Sequence, residues 1–502
     1  MLPPLVLPGS ADPAQVVLKR VEFQGNRAMG EAELQAIAAP FLNRALGRLD
    51  LEELRQQITR AYIARGYVNS GALLPDQSLD GGTLRVTLIE GTVSELRFTG
   101  LDRLSPSYLH HRLVAPGQTL ALPVLQQRFG ALLDDPLIER LNARLQPGAT
   151  LGESVLEVDV TRSQPYQLTL FAHNQGAPAV GSAVGGAELR LLNLTTWGDQ
   201  LTAVLGYTRS GDQHDVAWTI PLAARQATLQ LRSARSRSSI VEEPLASLGI
   251  ASQVDTQELT FALPLFDQLG RRFALGLTWG DRISRTTLDG EPFSFIAGEP
   301  EGRLRVRAWR FFQEATLRQE RHVLALRSTF VFGRNNVQAD TGIPGAPEPR
   351  YRLWLGQAQA AIALGEGGQQ LVLRGSVQHT RDHLAPLEQL GLGGRHTVRG
   401  YRENQFVRDR GWALSAEGHL PLLGGDGARR RLWLVPFVDG GQVRSIDGAT
   451  QGLASAGLGL RGQFDSLEAE IFVARRLERR PVDTRGDLQD DGIHLQLRWR
   501  AF

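Results

Sequence analysis

The sequence predicts two small α+β modules followed by a transmembrane antiparallel β-barrel of about sixteen strands. Three observations carry that prediction. The chain has 502 residues, more than one hydrophobic core organises. Helical stripes are confined to its first third. From Tyr166 to Phe502, segments of about ten residues alternate apolar and polar side chains between Gly, Asp, Asn and Pro clusters. No stretch approaches the run of about 20 apolar residues that a membrane helix needs. A membrane-spanning form therefore has to be a closed barrel, because lipid cannot satisfy open backbone edges.

The first module begins with VVLKRVEFQGN from Val16, an alternating strand ending at a Gly-Asn turn. A helix is predicted near Glu31 to Phe41. A second follows, with Asp50 as cap and Glu53 three residues on in capping-box position. Leu51, Leu54, Ile58, Ala61 and Tyr62 fall on one face of it, and Gly66 sits where a left-handed cap ends it. Strands at Ser70–Leu74 and Thr83–Glu90 complete the order β-α-α-β-β. The same order then returns. Val93–Phe98 is a strand, and Ser105 and Leu122-Pro123 start helices. Leu125, Phe129, Leu132 and Leu133 form a stripe, and Asn142–Leu145 and Ser154–Val160 flank a Pro147-Gly148 turn. A unit of about 75 residues repeated once suggests tandem modules; on periodicity alone, one ordinary α/β domain is equally open. The expected division is a Pro-rich segment 1–15, a first module 16–91, a second module 92–163 and a barrel 165–502, with a long connection at about 380–410.

The barrel prediction rests on segments such as Gln226–Arg235 and Leu371–His379. In Arg303–Ala308, Leu304, Val306 and Ala308 share one face and Arg303, Arg305 and Arg307 the other. Such polar faces suit a water-filled lumen, and a barrel of this size leaves an aqueous channel. The eight tryptophans, Trp197, Trp218, Trp279, Trp309, Trp354, Trp412, Trp433 and Trp499, lie in or beside these segments. Both an interfacial girdle and ordinary core packing are open for each of them. The chain stops at Phe502 after the alternating Ile493, Leu495, Leu497, Trp499 and Ala501, with Phe502 out of step with that face.

Composition narrows the chemistry. The 55 basic residues nearly balance the 53 acidic ones, so no nucleic-acid partner is implied. Lys19 is the only lysine, which removes lysine-based catalysis from the barrel, and the absence of cysteine excludes disulfides, thiolate nucleophiles and cysteine metal sites. Met1–Pro13 lacks a basic n-region and a long apolar core, so any secretory leader is expected to have been removed.

Two motifs carry a family resemblance. The first is Leu392-Gly393-Gly394-Arg395-His396-Thr397-Val398-Arg399-Gly400-Tyr401, inside the long connection; the second is Phe437-Val438-Asp439-Gly440-Gly441, at the end of a strand. Together they resemble the two-partner secretion transporters, the TpsB family, within the wider superfamily of BamA-like barrels. The modules look like POTRA domains. Tyr62, Gly66-Tyr67, Gln77 and Glu90-Gly91 resemble the first, and Pro147-Gly148, Gly152 and Ser154 the end of the second. The resemblance covers nearly the whole chain.

It implies an outer-membrane pore with periplasmic modules that recognise a secreted, unfolded partner of TpsA type and move it to the cell surface. It also implies that the Val398-Arg399-Gly400-Tyr401 loop folds into the lumen. There Arg399 would pair with Asp439 of a wall motif made by Phe437, Asp439 and Gly441. Trp499 and Phe502 look like the C-terminal barrel signal, which adds membrane lipid and the barrel assembly machinery as partners. The alternative is a barrel-insertion chaperone of BamA or TamA type. Many relatives plug the pore with an N-terminal helix; the Pro-rich residues before Val16 show no helical stripe, so either there is no such plug or it lies outside this sequence, and gating by it is not assumed.

The remaining signals carry little chemistry. Gly457-Leu458-Gly459-Leu460-Arg461-Gly462 matches GxGxxG but opens no helix. His110-His111 and His214-Asp215 lack metal-ligand spacing, although an Asp-His hydrolase on surface loops stays open. No GxSxG elbow or GxxxxGK[ST] loop occurs. No catalytic residue, metal, cofactor or nucleotide is therefore implied.

Overall fold

A computed structural model of the chain describes residues 15–114, 117–222, 226–338, 342–343, 345–424, 429–478 and 486–502. All but the last residue of the Pro-rich segment 1–15 lies outside them. The chain divides into two compact units, Met1–Ser163 and Gln164–Phe502.

The N-terminal unit repeats one topology. Its first module contains β1 (Val16–Val17), β2 (Arg20–Gln24), α1 (Glu31–Ala38), β3 (Ala45–Leu46), α2 (Arg48–Ala64), β4 (Gly71–Leu73) and β5 (Thr83–Ile89). The second contains β6 (Thr92–Thr99), α3 (Pro106–Leu113), α4 (Leu122–Leu133), β7 (Ile138–Pro147) and β8 (Glu153–Arg162). In the three-stranded sheet of each, the first strand runs parallel to the last and the middle one lies antiparallel at the far side of the last, giving the orders β2-β5-β4 and β6-β8-β7, while β1 pairs separately with β3. The apolar stripe of α2 buries Leu54, Ile58 and Tyr62 against Val21, Val86 and Leu88 of the sheet.

Two local expectations are corrected. The segment from Val16 is two strands, because Leu18 turns into the core while Lys19 and Arg20 donate their N–H groups to Gly82. Asp50 is not the cap of α2. The helix starts one turn earlier at Gly47, and Asp50, as its third residue, accepts the Gly47 N–H at 2.8 Å. An acid there also suits the positive helix end.

Glu90 joins the modules. One of its carboxylate oxygens accepts the Arg27 and Ala28 N–H groups at 2.7 Å and the Tyr62 hydroxyl at 3.0 Å. The other accepts Thr119 Oγ1 of the second module at 3.2 Å. Nearby, Asn69 donates to Ser154 Oγ at 2.9 Å, and Gly66, at φ +86°, accepts the Leu122 N–H at 2.8 Å. Burial and Glu90 together push the Tyr62 phenol above its ordinary range.

The C-terminal unit is a closed antiparallel barrel of sixteen staves. The first seven are β9 (Tyr166–His173), β10 (Val184–Leu192), β11 (Gln200–Tyr207), β12 (Gly211–Pro221), β13 (Thr228–Ser239), β14 (Ala251–Gln268) and β15 (Arg271–Leu288). A two-residue β16 (Glu291–Pro292) only extends the end of β15. Then come β17 (Arg303–Arg318), β18 (His322–Asn335), β19 (Arg350–Ala363) and β20 (Gln370–Thr380). After an internal hairpin of β21 (Leu390–Leu392) and β22 (Phe406–Arg408), the wall resumes with β23 (Arg410–Leu423) and β24 (Arg430–Arg444). It ends with β25 (Gln451–Phe464), β26 (Leu467–Arg476) and β27 (Ile493–Arg500), which pairs with β9 to close the ring. Phe502 leaves the ladder. Its carbonyl accepts the Leu168 N–H at 3.1 Å and its ring meets Tyr166 edge-on at 5.6 Å, across the closing seam.

The faces follow strand parity, with one inversion. On β17 the exposed apolar residues are Trp309, Phe311 and Leu317, so Arg303, Arg305 and Arg307, at the same parity, point outward with them. Leu304, Val306 and Ala308 face inward, buried with Val331, Tyr351 and Leu353 against Leu384 and Ala385 of the long connection. A lumen filled by its own loop at that level is apolar, so the arginine face is the outer one. Six tryptophans share outward parity, whereas Trp433 packs inward beside Val435 and Phe437, and Trp197 sits in the turn between β10 and β11. The GxGxxG run lies wholly within β25.

Two measurements check the module junction. Glu90→Ala leaves two backbone N–H groups and the Tyr62 hydroxyl without their acceptor. It should cost the N-terminal unit about 2–4 kcal/mol, read by chemical denaturation or by new proteolytic cleavage. Because the folded Tyr62 pKa lies above the unfolded one, its contribution is present below about pH 10 and is lost as pH rises beyond it. Tyr62→Phe should flatten that alkaline loss of stability.

Candidate functional site: an arginine lock in the barrel lumen

The connection between β20 and β23 folds inward and returns through the β21–β22 hairpin. At its root, Asp409 accepts N–H groups from Leu384 and Ile446 at 3.0 Å, and Gln378 of the wall donates to the carbonyls of Glu388 and Asp409 at 2.9 Å. Glu388 is buried and pairs with Arg310 and Arg282 on the wall. At the tip, Gly393 and Gly394 take φ +110° and +97°, and Thr397 Oγ1 accepts the Gly393 N–H at 2.8 Å. This tight turn presents Val398 to Tyr401 to the wall.

Arg399 is the largest fully buried side chain of the described residues, at 1% exposure. Its guanidinium meets Asp439 in a two-pronged contact: Nε donates to Oδ2 and Nη2 to Oδ1, both at 2.7 Å. The Arg399 backbone N–H adds a third bond to the same carboxylate at 3.0 Å. Nη1 donates to Glu417 Oε1 at 2.6 Å, Nη2 also reaches Ser415 Oγ at 3.0 Å, and the guanidinium lies 3.6 Å from the centre of the Phe437 ring. Such planar pairing and ring stacking are specific to arginine.

The spacing of the wall motif now has a physical reason. Residues 437, 439 and 441 are alternate positions of β24 and face the lumen together. Phe437 supplies the ring under the guanidinium and Asp439 the carboxylate. A Cβ at Gly441 would lie 2.5 Å from Leu392 of the loop and 2.7 Å from the Trp412 carbonyl, so only glycine admits the loop there. Val398 is buried with Leu392, Ala413, Val443 and Leu453. Gly400, at φ +89°, leaves no room for a side chain against Ala474, donates its N–H to His494 Nε2 at 3.0 Å, and receives Arg476 on its carbonyl. Tyr401 is buried, with its hydroxyl 2.9 Å from the Ala454 carbonyl.

The structure thus brings Val398, Arg399, Gly400 and Tyr401 against Phe437, Asp439 and Gly441. It keeps Trp499 and Phe502 apart from them, on the outer face and the seam. Sequence reading missed Glu417, Ser415, Phe472 and His494. Glu417 is also held by Arg374 at 2.8 Å and His419 at 3.0 Å, and Arg395 of the loop tip pairs with Glu470 at 2.8 Å while lying 4.2 Å from the Phe472 ring. Their signal is inward parity on β23, β26 and β27, which is readable only once strand register is known. His214 and Asp215 do not form a site. They point to opposite faces, with His214 on Asp212 and Asp215 on Arg232.

A closed sixteen-stave barrel that follows two small α+β modules in the chain, with a loop folded into its lumen, is an architecture that fits an outer-membrane pore. Residues 152–462 match the family model for the haemolysin secretion/activation proteins ShlB/FhaC/HecB, and residues 16–91 match a POTRA domain of ShlB type. The chain belongs to this ShlB/FhaC/HecB family of two-partner secretion transporters. It is 23% identical over 445 residues to the outer membrane transporter CdiB of Dickeya dadantii, covering 85% of this chain and 76% of that one. It is 26% identical over 191 residues to the heme/hemopexin transporter protein HuxB of Haemophilus influenzae, covering 37% and 33%. The solved structure of CdiB from Escherichia coli superposes with a TM-score of 0.74 at 21% identity, over 99% of this chain and 93% of that one. The protein is therefore an outer-membrane pore with periplasmic modules that translocates a secreted partner protein, and the barrel-insertion alternative falls away.

Removing one partner of a buried ion pair costs about 3–5 kcal/mol. Asp439→Asn and Gly441→Leu should each free the loop, and trypsin should then cut after Arg395 or Arg402 in the folded barrel. Arg399→Lys keeps the charge but loses the fork, and should give intermediate protection. Equal protection in all three variants would show that the lock does not hold the loop.

Proposed function

We propose that the Arg399–Asp439 lock sets the position of the lumen loop past which the unfolded partner travels. Residues 16–91 and 92–163 act as two receiving modules, and 165–502 as the conducting barrel. The reading rests on the two-pronged contact between Arg399 and Asp439, because a guanidinium buried this deeply fixes the whole loop to one sector of wall. Val398, Gly400 and Tyr401 seat the loop, and Phe437 and Gly441 receive it.

Reception follows from the module edges. β7 is ten residues long, pairs on one side only, and carries Glu139, Arg140 and Arg144 that discourage self-association. An extended partner segment can add to that edge by backbone hydrogen bonding. The work is transport, with no bond made or broken and no nucleotide. Folding of the partner outside the cell supplies direction. Lipid contacts the outward apolar face, and Trp499 with Phe502 at the closing strand is the segment that the barrel assembly machinery reads during insertion.

Two deletions of function test this. Arg399→Ala should lower secreted partner in the medium by about tenfold or more, with the barrel at normal level in the outer membrane and altered conductance in planar bilayers. Unchanged secretion with a normal barrel removes the role given to Arg399. Deleting Val16–Arg162 should abolish secretion while the barrel still inserts; intact secretion would place reception elsewhere.

A further inference from the structure

The outer wall carries a feature that neither the lumen lock nor partner reception uses. Three strand registers place Asp281, Arg307, Arg334 and Arg350 in one row across β15, β17, β18 and β19. The next row toward the membrane is Trp279, Trp309, Phe332 and Arg352, and the one after it is Leu277, Phe311, Phe330 and Trp354. All point outward, since Trp309 and Phe332 are 51% exposed. A groove on this wall is lined by arginines above and aromatic rings below.

Beyond Asp281, the positive charge of this sector has no ion-pair partner among the described residues. In the neighbouring sector, Asp255 holds Arg235 and Arg285, and at the edge of this one Asp281 holds Arg305 and Arg307. Arg303, Arg334, Arg350, Arg352 and Arg381 are exposed and make no ion pair among the described residues. Asp382 lines the same groove; its carboxylate accepts the Arg352 backbone N–H at 2.6 Å and makes no ion pair among the described residues, leaving the arginines in excess. Adjacent strands lie about 4.8 Å apart, and like charges directly opposite each other destabilise a sheet. Arg334 opposite Arg350 therefore costs stability unless an anion lies between them.

The level of the row identifies that anion. The chain enters the barrel at Tyr166, from the periplasmic modules, so β18 and β20 end at the cell-surface side, and the arginines mark the headgroup level of the outer leaflet. We propose that this sector binds the phosphate groups of an outer-leaflet glycolipid, a phosphorylated lipid A. Arg334, Arg350 and Arg352 grip the phosphates, and Trp309, Phe330 and Phe332 take the acyl chains. Guanidinium forks match phosphate oxygens in pairs, and the aromatic row directly beneath requires a ligand that is anionic at one end and apolar at the other. The inference rests on the outer-membrane placement and not on the role given to Arg399.

The test uses the full chain, folded in detergent, with binding read by native mass spectrometry and by the melting temperature. Diphosphoryl lipid A should bind saturably and raise the melting temperature, while inorganic phosphate and phosphatidylglycerol at equal phosphate should not. Arg334→Ser with Arg350→Ser should weaken lipid A binding by about tenfold or more. Arg285→Ser, in the compensated sector, should leave it unchanged. Should the double variant fail to give a heat-modifiable barrel, Arg350→Gln alone, at an exposed site, should show the same direction of loss. Equal lipid A binding by wild type and by the folded arginine variants overturns the proposal. So does equal stabilisation by inorganic phosphate or by phosphatidylglycerol, which would assign the sector to a free anion or to any anionic lipid.

Discussion

Arg399 places a guanidinium inside the lumen, and arginine side chains are permanent cations in proteins. Burying that charge at 1% exposure therefore obliges the surroundings to supply anions, acceptors and a polarisable surface. The wall answers with Asp439, Glu417, Ser415 and the Phe437 ring, drawn from β23 and β24. Each of these has its own dependents. Glu417 collects Arg374 and His419, and the facing β26–β27 wall adds Phe472 and the imidazole that accepts the Gly400 N–H. One cation thus organises the inner face of four staves and the course of the loop through them.

A buried ion pair is weak grounds for stability, because desolvating both charges offsets much of their attraction. Its value here is positional. Apolar packing alone would let a loop with this many glycines slide, since dispersion contacts are nearly interchangeable between neighbouring registers. A bidentate contact within 2.7 Å, with the Arg399 backbone N–H on the same carboxylate, has one geometry. The loop root is fixed independently, through Asp409, Gln378 and Glu388. Between two fixed ends the β21–β22 hairpin has little freedom, so the lumen is narrowed by a defined element.

What the sequence discloses differs between the two units for physical reasons. In the N-terminal unit, short-range signals suffice: the stripe of Leu54, Ile58 and Tyr62, the left-handed Gly66, and a repeat of one topology. The misplacement of Asp50 arises because an acid serves both as a cap and as the third residue of a helix. In the barrel, local patterns reveal strands but not their neighbours. Arg399 and Asp439 are legible as partners only through the family motifs, forty residues apart in the chain. Glu417 and His494 were illegible, because their place at the site depends on the Ser415–Asp439 register and on the β26–β27 pairing.

Alternation also leaves the sign of each face open, and β17 shows why. Its outward residues change from aromatic at Trp309 and Phe311 to charged at Arg307, where the wall leaves hydrocarbon. Its inward residues change the opposite way, from Arg310, paired with Glu388, to the buried Ala308, Val306 and Leu304. Two unrelated constraints switch at the same level: the edge of the membrane outside, and the packed root of the loop inside. A segment read as apolar on one face and basic on the other fits both a lipid-facing strand over a wet lumen and its inverse. Only the Leu384–Ala385 root, which fills the lumen beside Leu304, Tyr351 and Leu353, decides between them. The same packing that turns these apolar residues inward leaves Arg303, Arg305 and Arg307 on the outer wall.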